Sequence, residues 1–465
     1  MADTLDLTRL RDAAVKAHQD GRLDSAIAGY KRLLAMKPDS AGIWSNLGAA
    51  LRAQKKTSAA LACHRRALEL NPEDGAFHGN CGNVLKDLGR VEEAVAAHER
   101  AVALQPDSAG AYHNLGIALR EAAQHRRAVE AFEAALKLDP SVEKIAWDRA
   151  VCLLHLGSFA EGWKAYEARW VLGELPNRRP DLPYHKGEPL EGKTVVVTLE
   201  QGFGDSILSA RFLPQLRETG ATVWLDVKPP LRRLFSQLDG VDRITDPDKP
   251  APGADYQIPI MSLPGMFETT LENLPPPPEL RIPEAARRKV APLVAAGGVA
   301  GENPLRIGIV WSGSVTFRNN HNRAAPLERF IGLSDVPGVR LYSLQKGPQE
   351  SDLRTTGAET VMTDIGGQVQ DFAETAAAIE MMDLIVMTDS SVAHLAGSLG
   401  TPVWNLLNFV PYWLYLEDRE DCPWYPAMRL FRQPEFGDWD SVFAQVKAEL
   451  PQLIAAKRKR AGKST

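Results

Sequence analysis

Small, ring-bearing and turn-forming residues recur along the first third of the chain at a fixed interval of 34 residues. Pro38, Pro72, Pro106 and Pro140 mark the interval; Ala26, Ala60, Ala94 and Ala128 repeat it, as do Gly48, Gly82 and Gly116. Tyr30, His64, His98, Phe132 and Tyr166 fill one equivalent position. A period of this length predicts stacked units that bury an apolar face against their neighbours. The units run over 7–40, 41–74, 75–108 and 109–142, with a degenerate fifth over about 143–172 and only a short helical stretch ahead of the first. In the fifth unit Gly162 and Arg169 stand where small alanines stood. Alanine lets neighbouring helices pack closely, so its loss predicts that this unit caps the array or docks onto the next domain.

The order of small, aromatic and proline positions resembles the tetratricopeptide repeat, which implies two antiparallel helices per unit and a long concave surface, usually for a peptide. After Trp170 the pattern changes. Residues 173–192 are rich in Pro, Gly and charge and read as a linker. Thr194 to Leu199 form a continuous apolar run, the signature of a buried parallel strand. A glycine loop, a helix over about 206–218 and a strand over about 222–227 complete a βαβ unit. A second linker centres on Pro275–Pro278; a helix and the glycines Gly297, Gly298 and Gly301 come after it. Further strands are predicted over 306–311, 339–344, 383–388 and 402–407, with helices over 371–381 and 391–399. The expected fold is therefore α + α/β: a solenoid over 1–172, a linker over 173–192, and Rossmann-like domains over 193–300 and 301–465. Two such domains in tandem leave a cleft facing the carboxyl ends of both sheets, where helix N-termini and loop amides converge.

Composition narrows the function classes. The chain has 465 residues, 44% hydrophobic and 24% charged, which is ordinary for a soluble multidomain protein. A net charge of −5 gives no global basic field for nucleic acid. The basic end, Lys457 to Arg460 and Lys463, reads either as a frayed, solvated terminus or as a contact for an acidic partner or membrane. Cys63, Cys81, Cys152 and Cys422 are scattered, which suits a reducing compartment and suggests no zinc or redox site. No signal-peptide pattern opens the sequence and no apolar run reaches 18 residues, so a cytoplasmic protein is expected.

Two segments carry candidate chemistry. The first is Gln201-Gly202-Phe203-Gly204-Asp205, directly after the 194–199 strand. Its glycines permit tight backbone geometry and close ligand approach, and Asp205 stands at the start of a helix, as a reactive carboxylate or as a simple cap. In the second, an apolar strand ends in Asp389-Ser390-Ser391 and a helix carrying His394 begins. Hydroxyls and free amides at a helix N-terminus suit a diphosphate, while Asp389 better accepts hydrogen bonds from sugar or ribose hydroxyls. The alternatives are an N-cap serine and a packed histidine. The polar loop Ser312–Arg323 offers Arg323 as a phosphate ligand and His321 as a rival base to Asp205; Lys346 comes after another strand. Phe409, Tyr412, Trp413, Tyr415, Trp424 and Tyr425 either stack on a ligand or pack their loop. Asp438-Trp439-Asp440 matches a metal-binding D-x-D by letters, but its place ahead of an amphipathic helix favours capping. Asn46, Asn80 and Asn114 recur on first helices of the repeats, where each amide can pair with a peptide backbone or bond a neighbouring repeat.

Taken together, the G-x-G-D loop and the run Asp389-Ser390-Ser391-Val392-Ala393-His394-Leu395-Ala396 through Gly400-Thr401-Pro402 resemble the GT-B glycosyltransferases of family nine, the heptosyltransferase-like group. The chain is similar to bacterial proteins that fuse tetratricopeptide repeats to such a module and carry segments like Val310-Trp311-Ser312-Gly313, Ser343-Leu344-Gln345-Lys346-Gly347 and Asp418 to Pro426. Some proteins of this architecture modify flagellin. The resemblance implies inverting, metal-independent transfer from a nucleotide-linked sugar, with no cofactor beyond that donor. It carries over Asp205 as the base that deprotonates the acceptor hydroxyl and Lys346 as a cation for the leaving diphosphate. Gly202, Gly204, Arg323, Asp389, Ser390, Ser391 and His394 fall on the donor site. Heptosyltransferases usually have glycine where Ser391 stands, which leaves the donor sugar open. The expected partner is a protein acceptor held by the solenoid. The rival readings are sugar addition to lipopolysaccharide and a peptide-binding scaffold with a silent transferase module.

Overall fold

The computed structural model describes residues 2–172, 175, 177–200, 202–298, 303–314 and 320–461. The chain divides into two compact units, Met1–Leu156 and Gly157–Thr465. The first is all helical: α1 (Ala2–Gln19), α2 (Leu23–Met36), α3 (Ala41–Ala53), α4 (Thr57–Leu70), α5 (Gly75–Asp87), α6 (Val91–Leu104), α7 (Ala109–Glu121), α8 (His125–Leu138) and α9 (Glu143–His155). The stretch ahead of the first repeat is thus part of a full helix, α1, that pairs with α2.

The 34-residue period has a direct steric meaning. Each repeated ring of a second helix lies where a first helix carries glycine: His64 against Gly48, His98 against Gly82, Phe132 against Gly116. A Cβ on those glycines would fall 2.6, 2.7 and 2.4 Å from the nearest ring atom. Ala26, Ala60, Ala94 and Ala128 are fully buried, and each repeated proline stands two residues beyond the end of a second helix. Burial holds His64 and His98 down to about 4, so both are neutral packing rings at neutral pH. Gly82→Ala should destabilise the solenoid by about 1–3 kcal/mol, the usual cost of overpacking; thermal unfolding followed by far-ultraviolet circular dichroism will show it. A melting curve identical to the parent's would mean the ring moves aside freely.

The second unit opens with α10 (Phe159–Tyr166) and a 3-10 turn, Glu167–Trp170. This helix belongs to the second compact unit. Phe159, Trp163 and Tyr166 pack edge-on with Trp413 and Trp424, and the Trp163 indole donates to the Thr269 carbonyl at 3.0 Å. The last helix of the degenerate repeat therefore docks onto the α/β module.

That module has two parallel sheets. The first lobe contains β1 (Thr194–Thr198), α11 (Phe203–Ser209), α12 (Leu213–Glu218), β2 (Thr222–Asp226), α13 (Pro229–Phe235), β3 (Arg243–Thr245), β4 (Tyr256–Pro259) and α14 (Leu263–Met266), in strand order β3-β2-β1-β4. After α15 (Glu284–Ala296), the second lobe contains β5 (Leu305–Val310), α16 (Asn320–Arg323), α17 (Leu327–Ile331), β6 (Val339–Ser343), α18 (Asp352–Thr355), β7 (Met362–Asp364), α19 (Phe372–Glu380), β8 (Leu384–Thr388), α20 (Ser391–Ser398), β9 (Val403–Leu407), β10 (Met428–Arg432) and α21 (Trp439–Ala461). Its strand order is β10-β9-β8-β5-β6-β7. Continuous apolar strands such as Val195-Val196-Val197 and Leu384 to Met387 are buried on both faces, as parallel sheets require. The expected α + α/β class holds.

The described part of the 173–192 linker packs on the first lobe: buried Arg179 pairs with Asp226, and Tyr184 bridges to Gln257 of β4. The basic end is largely helical, because α21 runs to Ala461 and Lys457 pairs with Asp383 at 2.5 Å. Asp438 caps that helix, accepting from the Ser441 amide at 3.0 Å, so Asp438-Trp439-Asp440 is a capping motif.

Candidate functional site

Strand order locates the switch points. In the second lobe the chain runs from β5 outward to β7, then returns to β8 on the other side, so the carboxyl ends of β5 and β8 form a topological switch point. The first lobe switches between β1 and β4. The glycine loop leaves β1 and the Asp389-Ser390 turn leaves β8, so both candidate segments lie at switch points.

The two segments also meet. A Cβ on Gly204 would fall 2.7 Å from His394 Cδ2 and 3.6 Å from Ser391 Cα. Glycine here serves the close approach of α11 to α20; neither Gly202 nor Gly204 needs a left-handed backbone. Gln201 lies outside the described residues. Gly202 is the N-cap of α11 and Asp205 its third residue, where the carboxylate accepts from the Gly202 amide. Asp205 keeps part of its surface open. Burial pushes its carboxyl up to about 6, the nearby charge of Glu200 adds to this, and so does Asp389; the Gly202 amide and Arg169 oppose them.

On the opposite wall Asp389 is 5% exposed. Its Oδ1 accepts from the Tyr415 hydroxyl at 2.7 Å and its Oδ2 from Arg323 at 3.3 Å. Arg323, on α16, is thereby held at the carboxyl edge beside Gly313. Ser390 is the N-cap of α20, accepting from the Val392 amide at 3.3 Å; Ser391 begins the helix and is half-buried. His394 is buried with Nδ1 3.1 Å from the Tyr425 hydroxyl, and burial holds it down to about 4. It is neutral at physiological pH. Lys346 is exposed, donating to the Val369 carbonyl at 2.8 Å with Glu350 at 3.7 Å. Residues 315–319 of the polar loop, and the His321 side chain, lie outside the described residues.

Several residues organise the site through partners that the sequence did not mark. Gln345 is buried between two loops: its Oε1 accepts from the Trp311 and Ser312 amides at 3.1 and 3.0 Å, and its Nε2 donates to the Ser312 and Lys346 carbonyls. Tyr415 orients Asp389, and Glu200 charges the neighbourhood of Asp205. Trp413, Tyr415, Trp424 and Tyr425 are buried, whereas Phe409 and Tyr412 are half-buried. Arg211 stacks over Trp424 and Tyr425 and donates to the Trp424 carbonyl at 3.0 Å, tying the first lobe to the 418–426 loop.

In the solenoid, Asn80 donates to Ser45 Oγ at 3.1 Å, linking α5 to α3 of the preceding repeat. Asn46 and Asn114 are half-buried. A cleft of about 330 Å³ opens beside Asn80, lined also by Arg52, Lys55, His64, Asn83 and Asp87.

Comparison with known proteins bears on the repeats first. The tetratricopeptide repeat family matches residues 41–74 and 113–178, and a related repeat family matches 82–122. Protein FlbA of Caulobacter vibrioides is 27% identical over 335 residues, covering 66% of this chain and 55% of FlbA. The chain therefore spans about half the length of the curated relative it matches. Among solved structures, MamA is 22% identical, covering 35% of this chain and 94% of that one at a TM-score of 0.32. YrrB, described as a tetratricopeptide-repeat protein with an unusual peptide-binding site, is 19% identical, covering 35% and 90% at 0.30. The pilF protein of Pseudomonas aeruginosa is 22% identical, covering 37% and 80% at 0.34. Among the described residues no helix is long and apolar enough to cross a membrane. The N-terminal region is built of tetratricopeptide repeats.

Proposed function

We propose that the α/β module transfers a sugar from a nucleotide-linked donor to a hydroxyl of a protein acceptor recruited by the repeats. One observation carries this reading: the close approach of Gly204 to His394 brings the β1–α11 and β8–α20 turns together, which puts Asp205 within electrostatic reach of Asp389 and its partner Arg323. Asp205 takes the proton of the acceptor hydroxyl. The acceptor oxygen bonds to the anomeric carbon on the face away from the diphosphate, and the bond from that carbon to the phosphate oxygen breaks. The electron pair leaves on the diphosphate, with configuration inverted. Arg323, Lys346 and the amides at the start of α20 receive the departing negative charge. Asp389 supports this chiefly by holding Arg323, while its remaining lone pairs stay available to donor hydroxyls. Flagellin is the first acceptor to test, because some proteins of the similar architecture modify it.

The test is a thermal-shift screen of the full chain against nucleoside diphosphates and sugar nucleotides, followed by transfer of a labelled sugar to candidate acceptors. A ligand that binds only the native state raises its melting temperature. Binding without turnover on any acceptor would favour a scaffold with a silent module; no binding at all would remove the transferase reading.

Substitutions at the two binding surfaces should separate them. Asp389→Ala strands the Tyr415 hydroxyl and releases Arg323, so donor affinity should fall by about 1–3 kcal/mol with acceptor capture unchanged. Unchanged affinity in a donor titration would take Asp389 out of the site. Replacing Asn46, Asn80 and Asn114 together by Ala should reduce acceptor capture by the full chain while the helical circular dichroism persists. Full capture would assign the ladder to contacts between repeats, of the kind Asn80 makes with Ser45.

A further inference from the structure

Arg169 sits in the 3-10 turn that ends the helical region ahead of the α/β module, and its side chain is 4% exposed. All five of its N–H groups are used. Nε and Nη2 form a fork on the two oxygens of Glu200 at 3.0 and 2.9 Å; Nη2 also donates to Ser262 Oγ at 2.8 Å. Nη1 donates to the Tyr166 carbonyl at 3.1 Å and to Glu167 at 2.6 Å. The guanidinium also lies over the Tyr166 and Trp170 rings. Glu200 is equally fixed: Oε1 accepts the Met261 amide at 3.0 Å, and its own carbonyl accepts from Arg178 at 3.3 Å. It stands between β1 and Gly202, at the mouth of the loop that delivers Asp205.

A buried ion pair is no more stabilising than a well-packed apolar pair. Its place needs another reason, and the loop supplies one. We propose that Arg169 and Glu200 are positioning residues for the transfer step: the last helical turn ahead of the module fixes a buried negative charge beside Asp205 and so sets how readily that carboxylate accepts a proton. The inference rests on Asp205 as the base.

Several groups face Asp205. Glu200 and the Gly202 amide lie on its own loop, Arg169 on the 3-10 turn and Tyr166 on α10. Lys228 comes from the β2–α13 loop, and Asp389 and Tyr412 from the second lobe. Among the charged ones Glu200 acts most strongly, and Arg169 opposes it less than Glu200 acts. A base whose proton affinity is raised yet still lies below working pH is the stronger base.

The test uses the full chain and needs no substrate. Asp205→Asn is made in three backgrounds: the parent, Glu200→Gln, and the double variant Arg169→Met/Glu200→Gln, which removes both buried charges together. The gain in melting temperature from Asp205→Asn, compared between pH 4 and pH 7.5, reads the electrostatic load on Asp205. That gain should shrink in both altered backgrounds. In a transfer assay the acid limb of kcat/KM should move to lower pH in the same two variants. A gain that is equal in all backgrounds overturns the proposal and leaves the pair purely structural. Turnover of Asp205→Asn reports separately on the base: if that variant stays active, the transfer reading of Asp205 fails whatever the melting temperatures show.

Discussion

Asp205→Asn should lower sugar transfer by about 10²–10⁴-fold, the contribution of a positioned general base, while donor and acceptor binding persist. Serine and threonine hydroxyls are poor nucleophiles until their proton is taken, and the amide keeps the carboxylate's shape without its basicity. The same substitution should stabilise the fold at neutral pH. In the folded chain the Asp205 carboxyl lies at about 6 against 3.8 unperturbed, so the native state holds its proton more tightly than the unfolded chain does. Stability from this group is complete below pH 4 and is lost as pH rises through 6. The Asn variant escapes that loss, by up to about 3 kcal/mol before solvent screening at the partly open carboxylate reduces it. Transfer by the parent should fall as pH drops through about 6, when the base becomes protonated. A variant that keeps near-normal turnover would move the base to another group, with His321 the next candidate. Loss of donor binding instead would make Asp205 a ligand or cap. A variant that is slower yet more stable at pH 7.5, with the stability difference gone at pH 4, is the expected pair of results.

The repeats were legible because each repeated residue is its own contact: Gly82 meets His98, and Gly116 meets Phe132, at one spacing. The central strands were legible because burial on both faces leaves an uninterrupted apolar run, as in Thr194–Thr198 and Leu384–Thr388. Other strands were not. β3 and β7 have three residues each, too few to show a period, and β10 reads Met-Arg-Leu-Phe-Arg at a sheet edge. The helix after the first strand starts at Phe203 rather than 206, because glycine at 204 masks a helical turn that exists to admit His394. At the site, the two motif turns were legible from strand-end placement. What lay hidden was long-range pairing: Gln345 with Trp311 and Ser312, Tyr415 with Asp389, Arg169 with Glu200. Nothing in the spacing of one chain marks such partners. Arg169 even read as the loss of a packing alanine, when it is a substitution that brings a cation to the next module.

Arg169→Ala should cost about 3–5 kcal/mol of stability, because it leaves Glu200 charged, buried and without its fork. Among the described residues the Glu200 carboxylate keeps the Met261 amide alone, while Ser262 and Glu167 each lose one bond from Arg169 and keep the one between them. The cation–π contacts with Tyr166 and Trp170 go too, loosening the turn that joins the last repeat helix to the module. The change is measurable in urea by tryptophan fluorescence, since Trp163, Trp170, Trp413 and Trp424 all lie in this unit. Arg169→Lys should recover only part of the loss, because an ammonium cannot reproduce the two-pronged bond and the stacking of a guanidinium. Arg169→Met/Glu200→Gln should recover more, since removing both charges removes the desolvation that made the single change costly. A single variant that loses less than about 1 kcal/mol would mean that water or Arg178, which already donates to the Glu200 carbonyl, relieves Glu200, and that the pair is no stronger than an exposed salt bridge.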